Sequence, residues 1–206
     1  MLERKVNVAM LVSGGGTNLQ AILDAINNGV ITRAVVSVVI SNNPNAYALI
    51  RAKNAGIDAI AIDKRGEKLT VSDFEERIKR VLIDKKTDLI VLAGFLCVLS
   101  KDFCDTYKNR IINVHPSLIP KFCGNGFYGL KVHEAVLAAK ETVTGATVHF
   151  VSDIVDGGDI ILQKQVKVNA SDTAESLQQR VMKEAEWIIL PQAMEIISKK
   201  IIKGEI

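Results

Sequence analysis

The sequence predicts an α/β domain: an open, mostly parallel sheet with flanking helices and antiparallel strands toward its C-terminal part. Three observations carry that prediction. Short apolar runs alternate with segments of helical periodicity through the first half of the chain. A glycine cluster, Gly14-Gly15-Gly16, joins the first such pair. Two later apolar runs, residues 144–151 and 160–168, are separated only by a turn, as antiparallel neighbours are.

Each element has its own justification. Residues 6–12 form a nearly continuous apolar run ending in Ser13-Gly14-Gly15-Gly16-Thr17-Asn18, after which Leu19, Ile22, Leu23 and Ile26 recur at helical spacing. Thr17 or Asn18 is expected to cap that helix. The glycines permit either a bare tight turn or a close approach of backbone N–H groups to an anion at the helix N-terminus. The spacing is neither G-x-G-x-x-G nor G-x-x-x-x-G-K-[ST], so neither a dinucleotide nor a nucleoside triphosphate is indicated. Residues 34–40 read as a second buried strand, 46–55 as a helix closed by Gly56, and 57–62 as a short third strand. The charged turn Asp63-Lys64-Arg65-Gly66 leads to a helix marked by Phe74, Ile78, Val81 and Leu82. Residues 88–92 are a fourth buried strand running into Ala93-Gly94-Phe95-Leu96-Cys97-Val98-Leu99, an apolar loop covered by a flat apolar ligand or by a neighbouring loop. Ser100 caps a short helix over 101–107.

The fifth strand begins at Arg110-Ile111-Ile112 and delivers Asn113-Val114-His115-Pro116-Ser117-Leu118-Ile119-Pro120. Asn113 and His115 are two apart, so on a strand they point the same way. Pro116 biases His115 out of the α region and Pro120 closes the segment. This is a preorganised polar pair, or else a turn whose Asn bonds its own backbone beside a half-buried His. The loops after strands one, four and five all fall at the carboxyl edge, where open parallel sheets bind ligands. Residues 122–129 make a Gly-rich, exposed loop with aromatics, followed by a helix over 132–139 that carries His133 at the surface or at the lip of a site. In residues 144–151, Ala146, Val148 and Phe150 oppose Thr147 and His149, the pattern of a half-buried strand. Asp153, Asp156 and Asp159 share one turn, where acids commonly cap backbone. Gly157 and Gly158 nevertheless allow close ligand or backbone approach beside Asp156. Ser171-Asp172-Thr173 opens a final helical region with Leu177, Val181 and residues 187–190 facing the core, and Pro191 breaks or bends it.

Composition bounds the function. With 206 residues, 48% of them hydrophobic and 24% charged, the chain is an ordinary globular protein able to bury a core. Its 26 basic and 23 acidic residues are spread along the chain, a balance that suits a small anionic ligand and does not announce nucleic acid. Cys97, Cys104 and Cys123 cannot all pair and show no C-x-x-C spacing, so neither a disulfide framework nor a zinc site is expected, and reducing cytoplasm is. Met1-Leu2-Glu3-Arg4-Lys5 precedes an apolar run too short for a membrane span and without a signal-cleavage pattern.

Taken together, Ser13-Gly14-Gly15-Gly16-Thr17-Asn18-Leu19-Gln20-Ala21, Leu92-Ala93-Gly94-Phe95, Asn113-Val114-His115-Pro116-Ser117-Leu118-Ile119-Pro120 and the run from Gly145 through Val148-His149-Phe150 to Asp156-Gly157-Gly158 resemble the phosphoribosylglycinamide formyltransferase family. These are folate-dependent enzymes of purine synthesis with a Rossmann-like sheet. The resemblance implies transfer of formyl from 10-formyltetrahydrofolate, as co-substrate, to the amine of glycinamide ribonucleotide, without a metal. It implies one domain over 1–206, with a phosphate-binding mononucleotide half in 1–100 and a catalytic, folate-binding half in 101–206. Asn113, His115 and Asp156 become the catalytic three. Gly14, Gly15, Gly16, Thr17 and Asn18 hold the ribonucleotide phosphate, and Glu186 reaches the substrate end. Arg65, Leu96, Cys97, Val98, Leu99, Asn113, Ser152, Asp153, Ile154, Val155 and Asp156 contact the folate, and Arg110 falls near the active site. The implied partners are these two small molecules, with no nucleic acid and no membrane, and the chain is expected as a monomer or homodimer.

The pattern has departures. Cys97 stands where many relatives carry Arg, and Lys121-Phe122-Cys123-Gly124-Asn125-Gly126-Phe127-Tyr128-Gly129 replaces a shorter loop. Among rivals, formyltetrahydrofolate deformylase normally carries an N-terminal regulatory domain, whereas this chain starts at its first strand. Methionyl-tRNA formyltransferase carries a C-terminal barrel, and little here follows the last helix. A non-enzymatic anion-binding module would leave Asn113, His115 and Asp156 apart.

Overall fold

The computed structural model describes residues 4–206; the reading of Met1, Leu2 and Glu3 lies outside the described residues. The order is β1 Val6–Val12, α1 Thr17–Asn27, β2 Ala34–Ser41, α2 Tyr47–Asn54, β3 Asp58–Ala61, α3 Val71–Asp84, β4 Leu89–Leu92, α4 Lys101–Thr106, β5 Ile111–His115, α5 Leu130–Ala138, β6 Val143–Phe150, β7 Ile160–Lys167, α6 Ala174–Val181 and α7 Trp187–Lys203. One sheet takes all the strands in the order β3-β2-β1-β4-β5-β6-β7. Pairing is parallel from β3 through β5 and antiparallel at β5–β6 and β6–β7, as the sequence predicts.

The apolar runs read as continuous because both faces of the central strands are covered. On β1, Val8, Met10 and Val12 pack with Leu19 and Ile22 of α1 and with Leu190, Met194 and Ile197 of α7. The alternate residues Ala9 and Leu11 pack on the other face against Phe74, Ile78 and Leu82 of α3 and Phe103 of α4. Completely burying each such side chain stabilises the fold by about 1.5–3 kcal/mol.

Several expectations are corrected here. Neither Thr17 nor Asn18 caps α1: its N-cap is Gly16, left-handed at φ 72°, with no side-chain cap hydrogen bond. A Cβ at Gly16 would also lie 2.7 Å from the Cβ of Ala48, so α2 packs where a capping side chain would need to stand. β6 is not half-buried. Thr147 and His149 are 0% and 2% exposed, because the Ser117–Ile119 backbone lies across the polar side and bonds Thr147 Oγ1, which donates to Ser117 O and accepts from Ile119 N. Of the break or bend expected at Pro191, the break does not occur: α6 continues through a single π turn, Met182–Glu186, into α7 with Pro191 inside it. Arg110 sits at the amino end of β5, where its guanidinium donates to the carbonyls of Asp88 and Ile206. It is at the opposite end of the strand from Asn113 and His115, so the placement near the active site does not hold.

Candidate active site

The strand order changes sense at β1, which has β2 on one side and β4 on the other. At such a switch point the loops leaving the carboxyl ends diverge and leave a crevice. Here the crevice extends across β4 and β5 as a cleft of about 580 Å³. Asn113 and His115 of β5, His149 of β6 and Asp156 all line it.

Strand geometry explains the convergence. Asn113 and His115 share a face of β5, and antiparallel β6 sets His149 directly opposite Asn113. The turn after β6 folds back tightly enough to return Asp156, which is left-handed at φ 55°. Gly158 is required there, since a Cβ at that position would fall 1.8 Å from the Phe150 carbonyl oxygen.

The four side chains form one network. His115 Nδ1 lies 3.4 Å from Asp156 Oδ2, and its Nε2 donates to the Phe122 carbonyl at 2.8 Å. Asp156 Oδ2 also accepts from the Gly124 N–H at 2.9 Å, while Oδ1 lies 3.6 Å from His149 Nε2. His149 Nε2 is 3.2 Å from Asn113 Nδ2. Burial pushes the His115 imidazole below its ordinary value, against the charge of Asp156 and the Phe122 carbonyl. Burial acts on Asp156 to raise it, but the neighbouring imidazoles of His149 and His115 and the Gly124 N–H outweigh it and hold the carboxyl below its ordinary value. The result is an ionised carboxylate beside an imidazole that can take or release a proton. Such a site suits acyl transfer with proton movement.

A sequence model described as "Formyl transferase" matches residues 6–203. The chain belongs to the formyl transferase family. It is 39% identical over 184 residues to phosphoribosylglycinamide formyltransferase of Haemophilus influenzae, covering 89% of this chain and 83% of that one. It is 38% identical over 187 residues to the Escherichia coli protein of the same name, with the same coverage. It is also 40% identical over 200 residues to the trifunctional purine biosynthetic protein adenosine-3 of Bos taurus, spanning 19% of that protein's length. Among solved structures, glycinamide ribonucleotide transformylase 1 from Symbiobacterium toebii superposes with a TM-score of 0.87 at 38% identity, covering 95% of this chain and 88% of that one.

In this formyl transferase the apolar loop has the role of a wall. Ser13 N donates to Gly94 O, Ser13 Oγ accepts from Leu96 N and donates to Asn42 Oδ1, and Asn42 Nδ2 donates to Cys97 Sγ. The loops after β1, β2 and β4 are thereby laced together. They hold Leu96 and Val98 outward at 65% and 66% exposure, facing a mouth shared with Ile154. Burial pushes the Cys97 thiol up, so it stands in the cleft as a thiol and not as a nucleophilic thiolate.

Of the residues expected on the folate side, Arg65, Leu96, Cys97, Val98, Leu99, Asn113, Ser152, Ile154, Val155 and Asp156 line the cleft. Asp153 is exposed and does not. Gly14, Gly15, Gly16, Thr17, Asn18 and Glu186 also lie outside the cleft lining. The structure does join two of them: Asn18 Nδ2 donates to Glu186 Oε2 at 2.7 Å in a buried contact. Burial pushes the Glu186 carboxyl up to about 7, with the Asn18 bond opposing.

His133 is neither on the surface nor at a lip. It is 0% exposed, and burial followed by the charge of His115 pushes it down to about 4. Three participants escaped sequence reasoning: His149, the Phe122 carbonyl and the Gly124 N–H. Alternation along β6 does place His149 on the polar side, but only the β5–β6 register shows that it faces Asn113.

Proposed function

We propose that this formyl transferase moves the formyl group of 10-formyltetrahydrofolate onto the amine of glycinamide ribonucleotide, giving formylglycinamide ribonucleotide and tetrahydrofolate. The observation that carries this reading is the convergence of Asn113, His115 and Asp156 in one cleft with an apolar mouth. Amine attack on a formyl carbon makes its oxygen negative and its nitrogen acidic. Asn113 offers an amide N–H to that oxygen, and His115, once protonated with the help of Asp156 and against the cost of its burial, offers positive charge. A well-placed donor of this kind contributes about 3–4 kcal/mol in comparable acyl-transfer sites. Asp156 favours the proton on His115 and, with water, relays the amine's proton to the departing folate nitrogen.

No covalent relay is needed. Ser117 Oγ is buried and donates to Lys121 O, and Cys123 Sγ donates to Pro120 O, so neither is paired with a base. The pterin lies against Leu96, Val98, Leu99 and the 152–156 turn, with Arg65 at the rim. The ribonucleotide phosphate rests on Gly14, Gly15, Gly16, Thr17 and Asn18, at a helix N-terminus whose first turn carries no acidic residue. Glu186, tied to Asn18, reaches the same substrate.

The test is to incubate the protein with 10-formyltetrahydrofolate, with and without glycinamide ribonucleotide, and follow tetrahydrofolate release. Release that requires the ribonucleotide supports the transferase. Equal release in its absence indicates hydrolysis and refutes it.

A further inference from the structure

We propose that His149 is a positioning residue that sets which way the Asn113 carboxamide faces, so that an N–H and not a carbonyl oxygen is presented to the formyl group. The catalytic consequence rests on the transferase reading; the orientation itself does not. His149 Nδ1 is 2.7 Å from the Phe150 carbonyl oxygen. A carbonyl only accepts, so Nδ1 carries a proton. In the singly protonated ring Nε2 is then an acceptor, and its nearest polar neighbour is Asn113 Nδ2 at 3.2 Å. Asp156 Oδ1, at 3.6 Å, offers no proton to it.

The ring has no freedom to choose otherwise. His149 is 2% exposed on a strand paired on both sides, and turning it over would break the bond to Phe150 and leave buried polar atoms unmatched. One amide N–H of Asn113 is thereby committed to His149, and the other is left for the cleft that Asn113 lines. Without the acceptor, the amide can rotate by half a turn and set its own oxygen against the developing oxyanion.

The first test is ring nitrogen-15 NMR on the full chain labelled at histidine, at neutral pH. His149 is expected with Nδ1 protonated and Nε2 bare; a protonated Nε2 overturns the proposal whatever the chain catalyses. The second is kinetic. His149→Leu is expected to lower kcat about 100-fold while both KM values stay within about threefold. His149→Gln, whose side-chain oxygen can stand where Nε2 stood, is expected to regain about tenfold of that loss. A Leu variant with kcat within about threefold of wild type, or a Gln variant no better than Leu, overturns the role. If the Leu variant fails to fold, the NMR and the Gln variant still decide. If wild type shows the expected tautomer yet transfers no formyl to glycinamide ribonucleotide, the functional reading falls and the positioning stands.

Discussion

Replacing Glu186 with glutamine tests the electrostatics of the Asn18–Glu186 pair directly. Glu186 is 6% exposed, and burial raises its carboxyl from an ordinary 4.5 to about 7. Between those values the folded chain keeps a proton that the unfolded chain has lost, so stability falls as pH rises. At about 1.4 kcal/mol per pH unit, that interval corresponds to roughly 3 kcal/mol. Glutamine keeps an acceptor for Asn18 Nδ2 and removes the ionisation. Urea unfolding of both proteins from pH 4.5 to 8 should therefore show curves that nearly coincide at the acid end and diverge by roughly 3 kcal/mol at the alkaline end, with the variant more stable. His115 and His133, both lowered, act with the opposite sign, but they are present in both proteins and cancel in the difference. Parallel curves across the range would refute the reasoning, because they would mean that Glu186 ionises as freely in the fold as in water.

Asp156→Asn should preserve the fold, since Asn tolerates the left-handed φ of 55° and can still accept from Gly124, yet kcat should fall at least about 100-fold for want of the charge; a variant keeping more than about a tenth of kcat would sink the proton-relay role. At Gly15 a Cβ meets no atom within 4 Å and the backbone is not left-handed, so the melting temperature of Gly15→Leu should stay within about 2 °C of wild type. Titration should nevertheless show ribonucleotide affinity down about tenfold or more with folate affinity unchanged, and equal loss of both would count against the phosphate assignment. Gly158→Ala drives a Cβ against the Phe150 carbonyl and should cost about 3 kcal/mol, a drop of about 6–12 °C in calorimetry; a shift under about 2 °C would show that the turn gives way freely.

The parallel half of the sheet was legible because its signals are local. β1, β2 and β4 are buried on both faces and read as apolar runs, and the spacing of Asn113 and His115 fixes their common direction whatever packs nearby. Caps were less legible. Thr17 and Asn18 have capping chemistry, but the approach of Ala48 to Gly16 is a tertiary fact that local preference cannot register. His133 is misjudged for a related reason: a polar residue on a short helix is expected outside, but it is fully buried on α5, which packs against the much later α6.

The clamp around His115 and Asp156 is hidden for a different physical reason, since half of it is backbone. Phe122 contributes a carbonyl to His115 and Gly124 an N–H to Asp156, and any residue other than proline could supply either group. What the sequence specifies there is conformation: Gly124 adopts φ 88° and Phe122 φ 52°, so the loop turns its peptide groups inward at two points. Both groups act on the same pair, one fixing the proton on His115 Nε2 and so aiming Nδ1 at Asp156, the other favouring the ionised carboxylate. The 122–129 loop therefore bears on the protonation of His115 and Asp156 through backbone atoms, which no comparison of side chains would reveal.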